Sequence, residues 1–92
     1  MTAEEMLQIL KINLQIASSA YDGYLQSLLQ AAQEYITTEG VTLTSSVGDC
    51  TLVIQYAAYL YRFRRAEITA MPRPLRWALN NRIFSEKGKA DG

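Results

Sequence analysis

The chain has 92 residues, 49% of them hydrophobic, with nine basic residues against nine acidic ones and no histidine. That length allows one domain, residues 1–92, whose core buries about three-fifths of the unfolded chain's surface, so apolar surface is left for a partner. Lack of histidine removes the commonest general base, proton shuttle and neutral metal ligand. Neutrality hides an asymmetry. Residues 1–49 carry one basic and six acidic side chains, net −5, and residues 50–92 carry eight basic and three acidic, net +5. A chain polarised in this way can pack head to tail with copies of itself or offer its basic end to an acidic partner; two solvated faces of opposite colour are the simpler reading.

Thr2-Ala3-Glu4-Glu5 has the pattern of a capping box and opens a first helix from about Ala3 to Lys11, with Met6, Leu7, Ile9 and Leu10 on its apolar face. Ile12–Ile16 alternates apolar and polar residues, as a short extended linker would. Ser18 or Ser19 then caps a second helix, about Ala20 to Glu39. Tyr21, Tyr24, Leu25, Leu28, Leu29, Ala32, Tyr35 and Ile36 form its apolar stripe, and Gly40 supplies the left-handed residue after its end. Val41–Ser45 connects this helix to a third, predicted over Asp49–Met71 behind a Ser46 cap. That segment is apolar nearly all round, so it is the strut the rest must wrap. Pro72 and Pro74 end it, and Pro74 suits the first turn of a last helix to about Ser85. There Leu75, Ala78, Leu79 and Ile83 share a face, Trp77 and Phe84 form a second apolar edge, and Lys87–Gly92 frays as a flexible tail. The expected fold is all-α: two long antiparallel helices with short helices at either terminus and no sheet.

Little here supports catalysis. Cys50, the single cysteine, falls in the apolar opening of the third helix and has no activating partner. Glu4 and Glu5 are first-turn carboxylates favoured by the helix dipole. No glycine-rich loop precedes a helix, so no phosphate cradle is present, and no cofactor or metal is expected. The acidic amino terminus lacks a basic signal-peptide region, and no apolar run is long enough to span a bilayer; the chain is read as remaining in a cytoplasm, without a membrane partner. Six tyrosines could stack on single-stranded nucleic acid. At helical spacing they fit core or subunit contacts better, with Tyr56, Tyr59, Tyr61, Trp77 and Phe84 as candidate interface residues. Arg62, Arg64, Arg65, Arg73, Arg76 and Arg82 form a basic region available to phosphates or to an acidic partner. A helix-turn-helix reading of the last two helices is weakened by the prolines in the turn and by Trp77, Leu79 and Ile83, which stand where base-reading polar residues would be needed.

The order AAQEYITTEG, LVIQYAAYLYRFRR and MPRPLRWALNNRIFSEK resembles the small head–tail connector (adaptor) proteins of tailed bacteriophages and prophages. The likeness runs from LQILKINLQI through Ser85, and departs from the family's pattern at Pro74, where an apolar residue is expected. It implies a non-enzymatic helical subunit of a ring, commonly of about a dozen copies, with heterologous contacts closing on themselves. Such a ring lies in the virion neck, assembled in the bacterial cytoplasm beneath the portal protein. It docks head-closure or tail components and extends the channel for non-specifically held DNA after packaging. The alternative from the residues alone is a small helical DNA-binding or regulatory protein.

Overall fold

The computed structural model describes residues 1–91, with side-chain surroundings for residues 1–88. It contains four helices and, among the described residues, no strand: α1 (Ala3–Leu14), α2 (Asp22–Thr38), α3 (Val47–Arg64) and α4 (Arg73–Asp91). The all-α expectation holds; several boundaries move, each for a local reason.

α1 begins with a complete capping box: Thr2 Oγ1 accepts from the Glu5 amide at 3.1 Å and Glu5 Oε1 from the Thr2 amide at 3.0 Å. The helix runs through Ile12–Leu14, so no extended linker forms there. Gln15 ends it in the left-handed conformation, φ 60°, with Ile16 N–H donating back to Lys11 C=O at 2.9 Å. α2 starts two residues later than the serines indicated, and Tyr21 precedes it without a side-chain cap. Ser18 Oγ is taken by the Ala20 amide, in a turn ahead of the helix. Leu25, Leu28, Leu29, Ala32 and Ile36 are buried, but Tyr21, Tyr24 and Tyr35, expected in the same stripe, stand about half exposed at its margin. Gly40 takes φ 95° as expected, and Val41 after it turns into the core.

Ser46 caps α3 through its Oγ, which accepts from the Asp49 amide at 3.2 Å. The helix stops at Arg64, well short of Met71. Ala66 adopts φ 60°, its N–H donating to Phe63 C=O and that of Glu67 to Arg62 C=O, both at 3.0 Å. These paired bonds are a Schellman stop, built here on alanine. α4 begins one residue early at Arg73 and continues to Asp91, through most of the segment read as a tail; Gly92 lies outside the described residues. An ion pair between Arg82 and Glu86, one turn apart, supports those last turns.

α3 is the hub: it packs against α1, α2 and α4. Cys50, Leu52, Val53, Ile54, Ala57, Ala58 and Leu60 meet Leu7 and Leu10 of α1, the α2 stripe, and Leu75 and Leu79 of α4 in one core. Tyr24 of α2 approaches Tyr61 of α3, and Tyr35 approaches Tyr56, so residue numbers fall along α3 as they rise along α2. The radius of gyration, 13.4 Å, exceeds the about 12 Å expected of a compact chain this long.

Candidate functional site

Among the described residues, no group of three or more His, Cys, Asp or Glu side chains is placed to hold a metal, and no helix is long and apolar enough to cross a membrane. Cys50 is buried, its Sγ donating to Ser45 C=O at 3.8 Å. What the structure offers is surface, together with the polar locks that hold that surface in place.

The first lock engages Arg82, one of the candidate contact residues. Its Nε donates to Asp49 Oδ1 at 2.8 Å, one terminal nitrogen to Glu86 Oε2 at 2.9 Å, and the other to Thr42 C=O at 2.8 Å. Asp49 Oδ2 accepts in addition from the Thr44 amide (2.8 Å) and hydroxyl (2.9 Å). The guanidinium thus ties α4, the α2–α3 loop and the start of α3 together, and it is spent inside the subunit. Arg82 and then the Thr44 bonds hold the Asp49 carboxyl well down, at about 2, despite the opposing effect of burial. Arg82 also lowers Glu86, and is itself held above the usual arginine range by Asp49 and Glu86. A second lock, not anticipated from the sequence, pairs buried Lys11 with Asp22 at 2.9 Å, joining α1 to the start of α2. Its sequence signal was faint: a lone lysine beside an apolar face, with a lone aspartate at the head of the next helix.

The remaining arginines separate into two groups. At the end of α3, Arg62 reaches Asn13 of α1 through contacts of 3.4 Å, and Arg65 lies over the Tyr61 ring, 5.2 Å from its centroid, with a hydrogen bond to the Tyr61 hydroxyl. Arg64 is exposed. Arg73 and Arg76 are exposed at the start of α4 and make no ion pair among the described residues.

The candidate interface aromatics separate as well. Tyr56, Tyr59 and Tyr61 are partly buried against the core. Tyr35, Tyr56, Tyr59 and Phe63 form a continuous row with centroid spacings of 5.9, 5.8 and 5.7 Å, and burial pushes the Tyr56 phenol up. Trp77 and Phe84 lie on the outer side of α4, 71% and 77% exposed. Leu75 and Leu79 occupy the inner side, so the two aromatics contribute almost nothing to the fold of the single chain. Ile12 of α1 is 76% exposed, an apolar position the sequence had placed in a linker.

The comparison with known proteins identifies a family. The sequence model of the phage gp6-like head-tail connector proteins matches residues 4–73, spanning α1 to α3 and ending where α4 begins. LRWALNNRIF, part of the resemblance noted from the sequence, lies beyond the matched residues. No curated protein and no solved structure gives a match. With the greater part of its length matched, and an all-helical body, the chain belongs to the phage gp6-like head-tail connector protein family.

Proposed function

We propose that this connector works as one subunit of a homo-oligomeric ring in the virion neck, between the portal protein and the head-closure or tail proteins, extending the DNA channel after packaging. Family membership supports the structural role. The observation that carries the ring is the outer edge of α4, where Trp77 and Phe84 are presented to solvent while Leu75 and Leu79 are buried. Large aromatic side chains left uncovered in this way mark protein–protein contact. Separation of charge between the chain's halves adds electrostatic complementarity between successive copies. No part of this role calls for catalysis. The exposed arginines, Arg64 above all, are the residues available to a passing duplex.

Sedimentation velocity across a concentration series, with negative-stain imaging of the heaviest species, tests the ring. Closed rings of one size are expected; a particle that stays monomeric or stops at a dimer overturns it. The regulatory alternative is tested by selection from random duplexes at physiological salt. A DNA conduit should let its cargo slide, so weak, sequence-independent, strongly salt-sensitive binding is expected. Enrichment of one consensus site would replace the connector reading with a sequence-specific one.

A further inference from the structure

We propose that the outer edge of α4 on one copy docks along the exposed edge of α1 on the next, so that these two surfaces form the ring's repeating contact. This rests on the ring reading above and names the surfaces that would close it. Each edge consists of two exposed apolar side chains with charges at one end. On α4 these are Trp77 and Phe84, with Arg73 and Arg76 before them; on α1 they are Ile9 and Ile12, with Glu4 and Glu5 before them. None of these four charged residues is in an ion pair among the described residues.

One spacing agrees. Arg76 precedes Phe84 by eight residues and Glu4 precedes Ile12 by eight, about 12 Å along either helix. Laid side by side in the same direction in that register, the helices bring Arg76 to Glu4 and Phe84 to Ile12, while Arg73 and Trp77 lie about one turn ahead of Glu5 and Ile9. Each edge also borders a shallow concavity able to receive side chains from the other. One, of about 410 Å³, is lined by Arg73, Pro74, Arg76, Trp77 and Asn80; the other, of about 450 Å³, is lined by residues of the α1 end that include Gln8, Ile12 and Ile16.

Asn13 shares a cleft with Pro74 and Leu75 at the start of α4, whereas Ile12 borders the separate concavity beside Lys11. A contact between two different surfaces that the same partner does not return propagates from copy to copy, and it closes as a ring where the rotation between successive copies permits. Covering Trp77 and Phe84 would bury about 300 Å² or more. That is over a third of the about 800 Å² each partner gives to a stable interface. In this arrangement Arg73 and Arg76 belong to the subunit contact, not to the DNA channel.

Two single-cysteine variants, Ile12→Cys and Phe84→Cys, each made together with Cys50→Ala to remove the native buried thiol, distinguish this contact from others. Each protein alone should remain a single-chain species on a non-reducing gel after mild oxidation, and an unfolded-and-refolded mixture should give a disulfide-linked pair. Arg73→Glu with Arg76→Glu in the Phe84→Cys chain should lower the yield roughly tenfold at low salt. Adding Glu4→Lys to the Ile12→Cys chain should recover part of it. If the mixture yields no more linked pair than either variant alone, the α4–α1 contact is wrong. Sedimentation of the parent then separates the outcomes. Rings without the cross-link mean that another surface closes them, whereas no assembly and no cross-link overturn both readings and leave the aromatic edge to a different neck protein.

Discussion

Arg82 and Asp49 meet at 2.8 Å across 33 residues of chain, and this pair holds α4 against the start of α3. Little else polar crosses that boundary: Glu86 belongs to α4 itself, and the Thr42 carbonyl belongs to the adjoining loop. Both side chains are mostly covered, 15% and 7% exposed, so loss of either partner strands the other away from water. Arg82→Ala should therefore destabilise the fold by roughly 2–4 kcal/mol in urea unfolding. Arg82→Lys should recover only part of this, because an ammonium cannot serve Asp49, Glu86 and Thr42 together. A loss within experimental error for the alanine variant would show that α4 is held by its leucines alone.

Acid should act on the same pair. The Asp49 carboxyl titrates near 2 in the fold, below its ordinary 3.8, so its contribution is fully present above about pH 4 and is lost as pH falls toward 2. Glu86 and Glu5, also shifted downward, lose theirs in the same direction. Stability should fall on acidification through that window, with Asp49 contributing on the order of 2 kcal/mol. Asp49→Asn, less stable at neutral pH, should show a flatter decline, measurable by far-ultraviolet circular dichroism in urea at pH 2 to 6. Parallel curves for parent and variant would exclude Asp49 as the acid-sensitive group.

Three helix ends use a left-handed residue, and only Gly40 suits it without strain. Gln15→Gly and Ala66→Gly should each stabilise the protein by about 0.5–1 kcal/mol, since both sites are exposed and lose only the Cβ conflict. Gly40→Ala should cost about 1 kcal/mol although no atom lies within 4 Å of the added carbon, the penalty coming from the backbone. Gly48→Ala, with equal space but inside α3, should gain a few tenths to about 1 kcal/mol. Thermal midpoints of the four variants test the set, and equal shifts at Gly40 and Gly48 would contradict the difference in conformation.

The core and the outer edge of α4 should respond oppositely to truncation. Leu28 is fully buried, and Leu28→Ala should cost about 2–5 kcal/mol. Trp77→Ser and Phe84→Ser should change subunit stability by no more than about 0.5 kcal/mol when measured on dilute monomer. A large loss at either aromatic would place it in the fold of the subunit and not in a docking edge.

Helix number, the α2 core stripe and the role of α3 as hub were legible in the sequence because they follow from short-range causes. Apolar spacing reports a buried face, and Thr2, Ser46 and Gly40 carry cap chemistry that the backbone there requires. The ends at Gln15 and Ala66 were not legible, because neither residue favours the left-handed conformation; packing of Ile16 against the core accompanies the first stop, and paired backbone bonds form the second. Roles of the long side chains were decided by the tertiary structure alone. Sequence periodicity places Arg76 and Arg82 on one helix as equals, yet Arg82 is drawn in by a carboxylate 33 residues away and Arg76 is left to solvent. Likewise, periodicity identifies Trp77 and Phe84 as one apolar edge, but only the packing of Leu75 and Leu79 onto α3 determines that this edge faces outward. A pattern of residues can say which side chains share a face; the direction of that face is set by the neighbours, and those come from distant parts of the chain.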